Sequence, residues 1–166
     1  MNGKDLLKTQ YTFFYRTAKL NLDGFGAEAS VAQPANGANC ANWILGHVVR
    51  AHNNAMRLVN QEPVWDSAEL DRTTEGPVTS PEDALDWDML VSKFLASEAR
   101  FMAGLDALEE SQLDEGGFKD PFGNATTRGG MLNFLAVHGN YHTGQLGIAR
   151  RLAGLPGAIG APRSRS

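Results

Sequence analysis

The chain has 166 residues, enough for one domain around a single core and too few for a second. Its make-up, 42% hydrophobic and 20% charged with a formal net charge of −4, is that of a globular protein; no stretch gathers the Lys and Arg that nucleic acid or an anionic membrane would select, so neither is an expected partner. The single cysteine, Cys40, excludes an intrachain disulfide; charges at Lys4, Asp5, Lys8, Arg16 and Lys19 interrupt any signal-peptide core, no run approaches the roughly 18 apolar residues of a membrane span, and a cytoplasmic protein is expected.

Four segments repeat apolar residues at helical spacing, separated by stretches rich in Gly, Pro, Asn, Asp and Thr, which predicts an all-α helical bundle. The first helix runs from Gly3 to Leu22 with Leu7, Tyr11, Phe14 and Ala18 on one stripe, and stops at Asp23-Gly24. The stretch "GFGAEASVAQPANGAN" reads as a loop. The second helix starts near Asn39 and continues to about Asn60, before "QEPVW", with Cys40, Ile44, His47, Ala51 and Leu58 in line. The third takes Ser80 as N-cap and Pro81 as first helical residue and ends near Leu108. "DEGGFKDPFGNATTR" is too polar and Gly-rich for a helix and is placed as a short hairpin around "PFGN". The fourth helix opens at Thr126 or Thr127 and closes at Gly154, with Pro156 beyond it; the domain spans 1–156 and residues 157–166 read as a tail.

On the fourth helix Met131, Leu135, His138, His142, Gln145, Ala149 and Leu152 follow alternating steps of four and three, the spacing of an inward seam. Two imidazoles and a carboxamide thus stand where Leu or Ile is expected. They are either hydrogen-bonded core residues or part of a metal site. Residues four apart on a helix stack one turn above the other, as two imidazoles sharing one ion require, and His47 adds a third seam histidine from the second helix. His52 lies roughly 140° further round that helix and reads as a surface or rim residue. Three histidines from two helices leave coordination positions open, the mark of a catalytic rather than a structural metal.

Two related chemistries do not fit. A zincin carries Glu directly after its first His, where this chain has Gly139; di-iron bundles need Glu three residues before His, where it has Ile44, Val49, Leu135 and Gly139. Glu98 falls on the apolar sector of the third helix by either of two tracings. It reads as a partner of a ligand histidine, a base or a fourth ligand, or else as a carboxylate paired at the bundle edge. Gln145, one turn past His142, is placed to orient a ligand or substrate. Gly139, Gly144 and Gly147 weaken the fourth helix, which close approach of another helix, of this chain or a second subunit, would explain. Cys40 offers a thiolate but reads more simply as a small hydrophobe, and Trp43, Trp87 and Phe134 as core or pocket lining.

"NWILGHVVRAH" and "HGNYHTGQLGIARRLAGLPG" resemble the DinB-like family of bacterial four-helix bundles. The resemblance implies an up-up-down-down bundle with long crossover connections, frequently a homodimer, in which one histidine of the second helix and two of the fourth bind a divalent metal, commonly Zn or Ni. The matching positions are His47, His138 and His142. It further implies a small-molecule substrate and a metal-dependent transferase or hydrolase, with S-transfer from a low-molecular-weight thiol among the family's activities; a non-catalytic metal-stabilised ligand-binding or sensing module is the alternative.

Overall fold

The computed structural model describes residues 2–33, 37–74, 78 and 81–158. It is mostly helical. Four long helices, α1 (Gly3–Leu22), α3 (Ala41–Leu58), α4 (Trp87–Ala107) and α5 (Arg128–Leu152), surround one core; a one-turn helix α2 (Ala27–Ser30), short 3-10 segments and a two-stranded antiparallel hairpin, β1 (Phe118–Lys119) with β2 (Ala125–Thr126), connect them. No described helix is long and apolar enough to cross a membrane.

Local chemistry fixes the helix ends. The Asn2 side chain accepts from Asp5 N at 2.8 Å while Asp5 accepts from Asn2 N, a capping box that starts α1. Thr127 accepts from Gly130 N at 3.1 Å and starts α5, which closes through Gly154 at φ 81° just before Pro156. The third long helix starts later than the Ser80-Pro81 pair suggests. Pro81–Asp83 is only a 3-10 turn, and Asp86, whose side chain accepts from Met89 N at 3.0 Å, caps α4; Ser80 lies outside the described residues. α3 begins at Ala41 with Cys40 as N-cap, so Asn39 precedes the cap. The "GFGAEAS" stretch, expected as loop, contains α2. The hairpin forms where expected, its turn held by Asp120, which accepts from the Asn124 side-chain amide and from Asn124 N and Phe122 N, so that these donors, the side-chain amide foremost, hold its carboxyl below the ordinary range.

α1 packs on α5 and α4, and α3 packs on the same two helices. Across the centre α1 and α3 meet through side chains. Tyr11, Phe14 and Tyr15 of α1 interlock with Phe94 and Phe101 of α4, and within this aromatic cluster sits His52 of α3. His52 is only 4% exposed, which overturns its reading as a rim residue. Its Nε2 lies 2.5 Å from Tyr15 Oη, Tyr15 Oη lies 3.1 Å from Ser97 Oγ, and Ser97 Oγ donates to Phe94 O at 2.6 Å. Because that carbonyl takes the Ser97 proton, Ser97 accepts from Tyr15 and Tyr15 accepts from His52 Nε2–H.

Candidate metal centre

α3 and α5 pack against each other, and on their shared flank stand His47, His138 and His142. His47 and His138 are half-buried and His142 is buried. Their three Nε2 atoms converge. His138 Nε2 is 3.3 Å from His47 Nε2 and 3.2 Å from His142 Nε2, and one ligand atom from each residue lies within 4.8 Å of the others.

The opposite ring nitrogens explain the convergence. His47 Nδ1 lies 2.9 Å from Thr73 O, and a carbonyl only accepts, so Nδ1 carries the proton and Nε2 the lone pair. His142 Nδ1 lies 2.7 Å from Gln145 Oε1, which fixes the same tautomer. Two lone pairs therefore point at His138 Nε2, which has at most one proton to give them. If it gives that proton, its Nδ1 keeps a lone pair, and that atom is buried with no hydrogen-bond partner. A divalent cation at the convergence point would accept all three Nε2 lone pairs, leaving His138 Nδ1–H as the one ring nitrogen of the three without a partner. Nitrogens about 2.0–2.1 Å from a tetrahedral Zn lie roughly 3.3 Å apart, the separation of the two close pairs here. The donor set fits such an ion, as it fits Ni.

Two of the histidines are also kept neutral. Burial and the neighbouring imidazoles His142 and His47 lower His138 to about 4, and burial lowers His142 despite the opposing hydrogen bond that it donates to Gln145 Oε1. Neutral imidazole is the metal-binding form, so near pH 7 these two need lose no proton to bind an ion.

Close packing sets the position of the Thr73 carbonyl. Gly46 precedes His47, and a Cβ there would lie 2.5 Å from Thr73 Cγ2 and 2.6 Å from Leu85 Cδ1. The absence of that carbon lets the 3-10 segment Ala68–Thr73 lie directly against α3 and bring its last carbonyl to His47. Each ligand has its own aromatic neighbour: Trp43 is parallel to His47 with centroids 4.8 Å apart, Phe134 lies 6.1 Å from His138 and Tyr141 5.1 Å from His142. Phe122, on the hairpin turn, packs edge-on against Phe134. Trp87 is a core residue that donates to Phe25 O at 2.6 Å.

Glu98 does not sit inward. The fully buried seam position belongs to Ser97, and Glu98 forms an ion pair with Lys19 at the α1–α4 contact, its side chain 29% exposed; among the described residues no hydrogen bond joins it to the histidines. Cys40 is buried and its thiol pushed up by that burial, which suits a small hydrophobe. Two of the α5 glycines answer to α1: a Cβ on Gly139 would meet Phe14 at 2.7 Å and one on Gly147 Asn21 at 3.3 Å, whereas Gly144 has nothing within 4 Å. Thr73 and Gly46 escaped the sequence reading. A backbone acceptor leaves no side-chain signature, although a glycine inside a helix beside a candidate ligand was a usable sign.

No curated protein matches the chain. A solved structure described as the conserved protein of locus from Enterococcus faecalis superposes with a TM-score of 0.67 at 21% identity, over 92% of this chain and 98% of that one, a likeness of fold. A family model described as the DinB superfamily matches residues 14–146, a span that holds His47, His138, His142 and Gln145, and to that superfamily the chain belongs.

Proposed function

We propose that His47, His138 and His142 bind one divalent ion, Zn or Ni, and that the protein is a cytoplasmic metal-dependent transferase or hydrolase of small molecules, with S-transfer from a low-molecular-weight thiol as the favoured reaction. The observation that carries this reading is the convergence of three Nε2 atoms, two of them, on His47 and His142, held as lone pairs by acceptors at Nδ1, so that one His138 proton cannot serve both. An ion bound there would lower the pKa of a water or thiol in its open positions. Thr73 O and Gln145 Oε1 hold the rings, and Gln145 has an amide nitrogen left to position the incoming group.

The scaffold assigned to this activity is an up-up-down-down four-helix bundle, a topology supported by the way α1 and α3 each pack on α4 and α5 rather than side by side. A homodimer draws support from exposed apolar residues at helical spacing, Leu6, Phe13 and Leu20 on α1 and Val137, Tyr141 and Ile148 on α5. One observation favours the alternative, a metal-stabilised ligand-binding or sensing module: the carboxylate offered as a base, Glu98, is engaged by Lys19.

The deciding experiment supplies Zn- or Ni-loaded protein with a thiol and a panel of electrophiles and follows thioether formation. Turnover that needs both metal and thiol and disappears in His142→Ala is expected. Saturable thiol binding without turnover across the panel would transfer the protein to the sensing class.

A further inference from the structure

A cleft of about 310 Å³ lies between residues 37–39, ahead of α3, and the last two turns of α5. None of the three histidines is among its described lining residues, and it is linked to them through two of its walls. Gln145, whose Oε1 accepts from His142, forms part of its wall, and so does Ile44, one turn before His47. Ala38, Ile148, Ala149 and Leu152 are its other apolar side chains, and Asn39 adds a second carboxamide. Among the described residues, none that lines it carries a charge. Of the two cations adjacent in sequence, Arg150 is turned to the carbonyls of Asn21, Asp23 and Pro156, and the Arg151 guanidinium lies beside Gly157, in the wall of a different cleft.

We infer that this cleft is the substrate side of the histidine centre and admits a neutral, mainly aliphatic small molecule whose hydroxyl, thiol or carbonyl head lies at the Gln145 end. The inference rests on the proposed function in assigning the head to the centre; the cleft's choice of an uncharged body stands on its walls alone. Its volume is at the lower end of small-molecule sites, roughly 300–1,000 Å³, which suits a short chain. A carboxylate or phosphate placed there would give up its water with no cation among the described lining residues to meet it, whereas the carboxamides of Asn39 and Gln145 can hydrogen-bond a neutral head. Ile148, 63% exposed, and Leu152, 59%, are the apolar side chains such a ligand would cover.

The test titrates butan-1-ol, hexan-1-ol and hexanoate into the full chain, metal-free and Zn-loaded, and reads backbone amide shifts by NMR. Saturable shifts at 37–39 and 145–152 are expected, tightening about fourfold for each added methylene from butanol to hexanol. Hexanoate should bind at least about tenfold more weakly than hexanol. Ile148→Lys, at an exposed position that folding tolerates, should reverse that preference. Equal affinity for hexanol and hexanoate, shifts confined to other residues, or no response to Ile148→Lys would overturn the inference. So would shifts of the same amides on dilution of the protein alone, with the alcohols inert, because a second copy would then occupy the cleft. The metal reading is separated by hexane-1-thiol: a gain over hexanol only in Zn-loaded protein supports the centre, whereas a failure of Zn to bind would sink the proposed function and leave the alcohol series to stand or fall by itself.

Discussion

His52 and the His47–His138–His142 cluster place one side chain in two opposite settings. His52 is deep in the bundle, ringed by Tyr11, Phe14, Phe94 and Phe101, and passes its Nε2 proton into a closed chain that ends on Phe94 O. The cluster lies on the flank between α3 and α5, and there His47 and His142 give away the Nδ1 proton and keep Nε2 as a lone pair. Tautomer follows from the acceptor. A histidine whose proton-accepting neighbours lie behind it presents a lone pair in front; a histidine enclosed by aromatic rings with a hydroxyl as partner is a packing element. Burial alone would have ranked His52 as the more unusual residue, yet it is the placement of acceptors that makes the half-buried set capable of binding an ion.

The comparison is broken most severely by removing ligands. His47→Ala, His138→Ala and His142→Ala are each expected to abolish stoichiometric Zn or Ni binding, read by elemental mass spectrometry after equilibration with the ion, because two imidazoles leave too few protein ligands for tight capture. His52→Ala should bind the metal as the natural sequence does. Metal loss in that variant while it remains folded would show that the two settings are coupled.

His52→Ala is instead expected to lose about 3 kcal/mol of stability in urea denaturation at pH 7, from the cavity and from the loss of the donor to the buried Tyr15 hydroxyl. Its effect depends on pH with a definite sign. Burial lowers His52 from 6.5 to about 3, so between those values the unfolded chain takes up a proton that the folded chain refuses. The neutral histidine's contribution is complete above about pH 6.5 and is lost as the pH falls toward 3. In metal-free protein the variant should show a pH slope smaller by up to about 1.4 kcal/mol per unit in that range, and His138, at about 4, His142 and the lowered Asp120 carboxyl contribute to the slope that persists. An unchanged slope would mean that His52 takes up its proton in the folded protein.

How far the sequence discloses this arrangement depends on the element. α1 and α5 end where capping residues and the Asp23-Gly24 and Gly154-Pro156 signals place them, and the grouping of the three histidines is legible from spacing because steps of four and three on one helix, and a third histidine in line on another, constrain direction strongly. Depth was not identifiable in the same way. The stripe of His47 and that of His138 flank the core, whose centre is Leu132, Ala136, Gly139 and Leu146 on α5 and Val48, Val49, His52 and Met56 on α3. The roughly 140° between His47 and His52 was sound; assigning the inner side to His47 was not, because α3 is enclosed by α5, α4 and the 68–73 segment and buries most of its circumference. The same offset put Glu98 in the seam in place of Ser97. The Thr73 carbonyl depends on a long-range contact that no local pattern encodes.

That contact supplies a finer test of why the cluster differs from His52. Gly46→Ala places a methyl where Thr73 Cγ2 and Leu85 Cδ1 now are, and the 68–73 segment must withdraw. The His47 ring then loses the acceptor that fixes its tautomer, and metal affinity should fall by about 10- to 100-fold while the three ligands remain. A competition titration against a chelator reads this directly, and an affinity unchanged in the folded variant would remove Thr73 from the site.

Glu98→Gln carries the smallest expected effect and separates an edge carboxylate from a member of the centre. Its partner Lys19 is 48% exposed and Glu98 itself 29%, so water and salt screen the pair, and its loss should cost under about 1 kcal/mol. Metal affinity should not change, since no hydrogen bond or ion pair connects Glu98 to the histidines among the described residues. Turnover separates the two roles further: a carboxylate that only pairs with Lys19 leaves the thiol-dependent rate intact when it becomes an amide, whereas a base acting on substrate would lose a factor of about 10²–10⁴ with metal still bound. Only the second result would bring Glu98 back to the centre, and it would require Lys19 to release the carboxylate during the reaction.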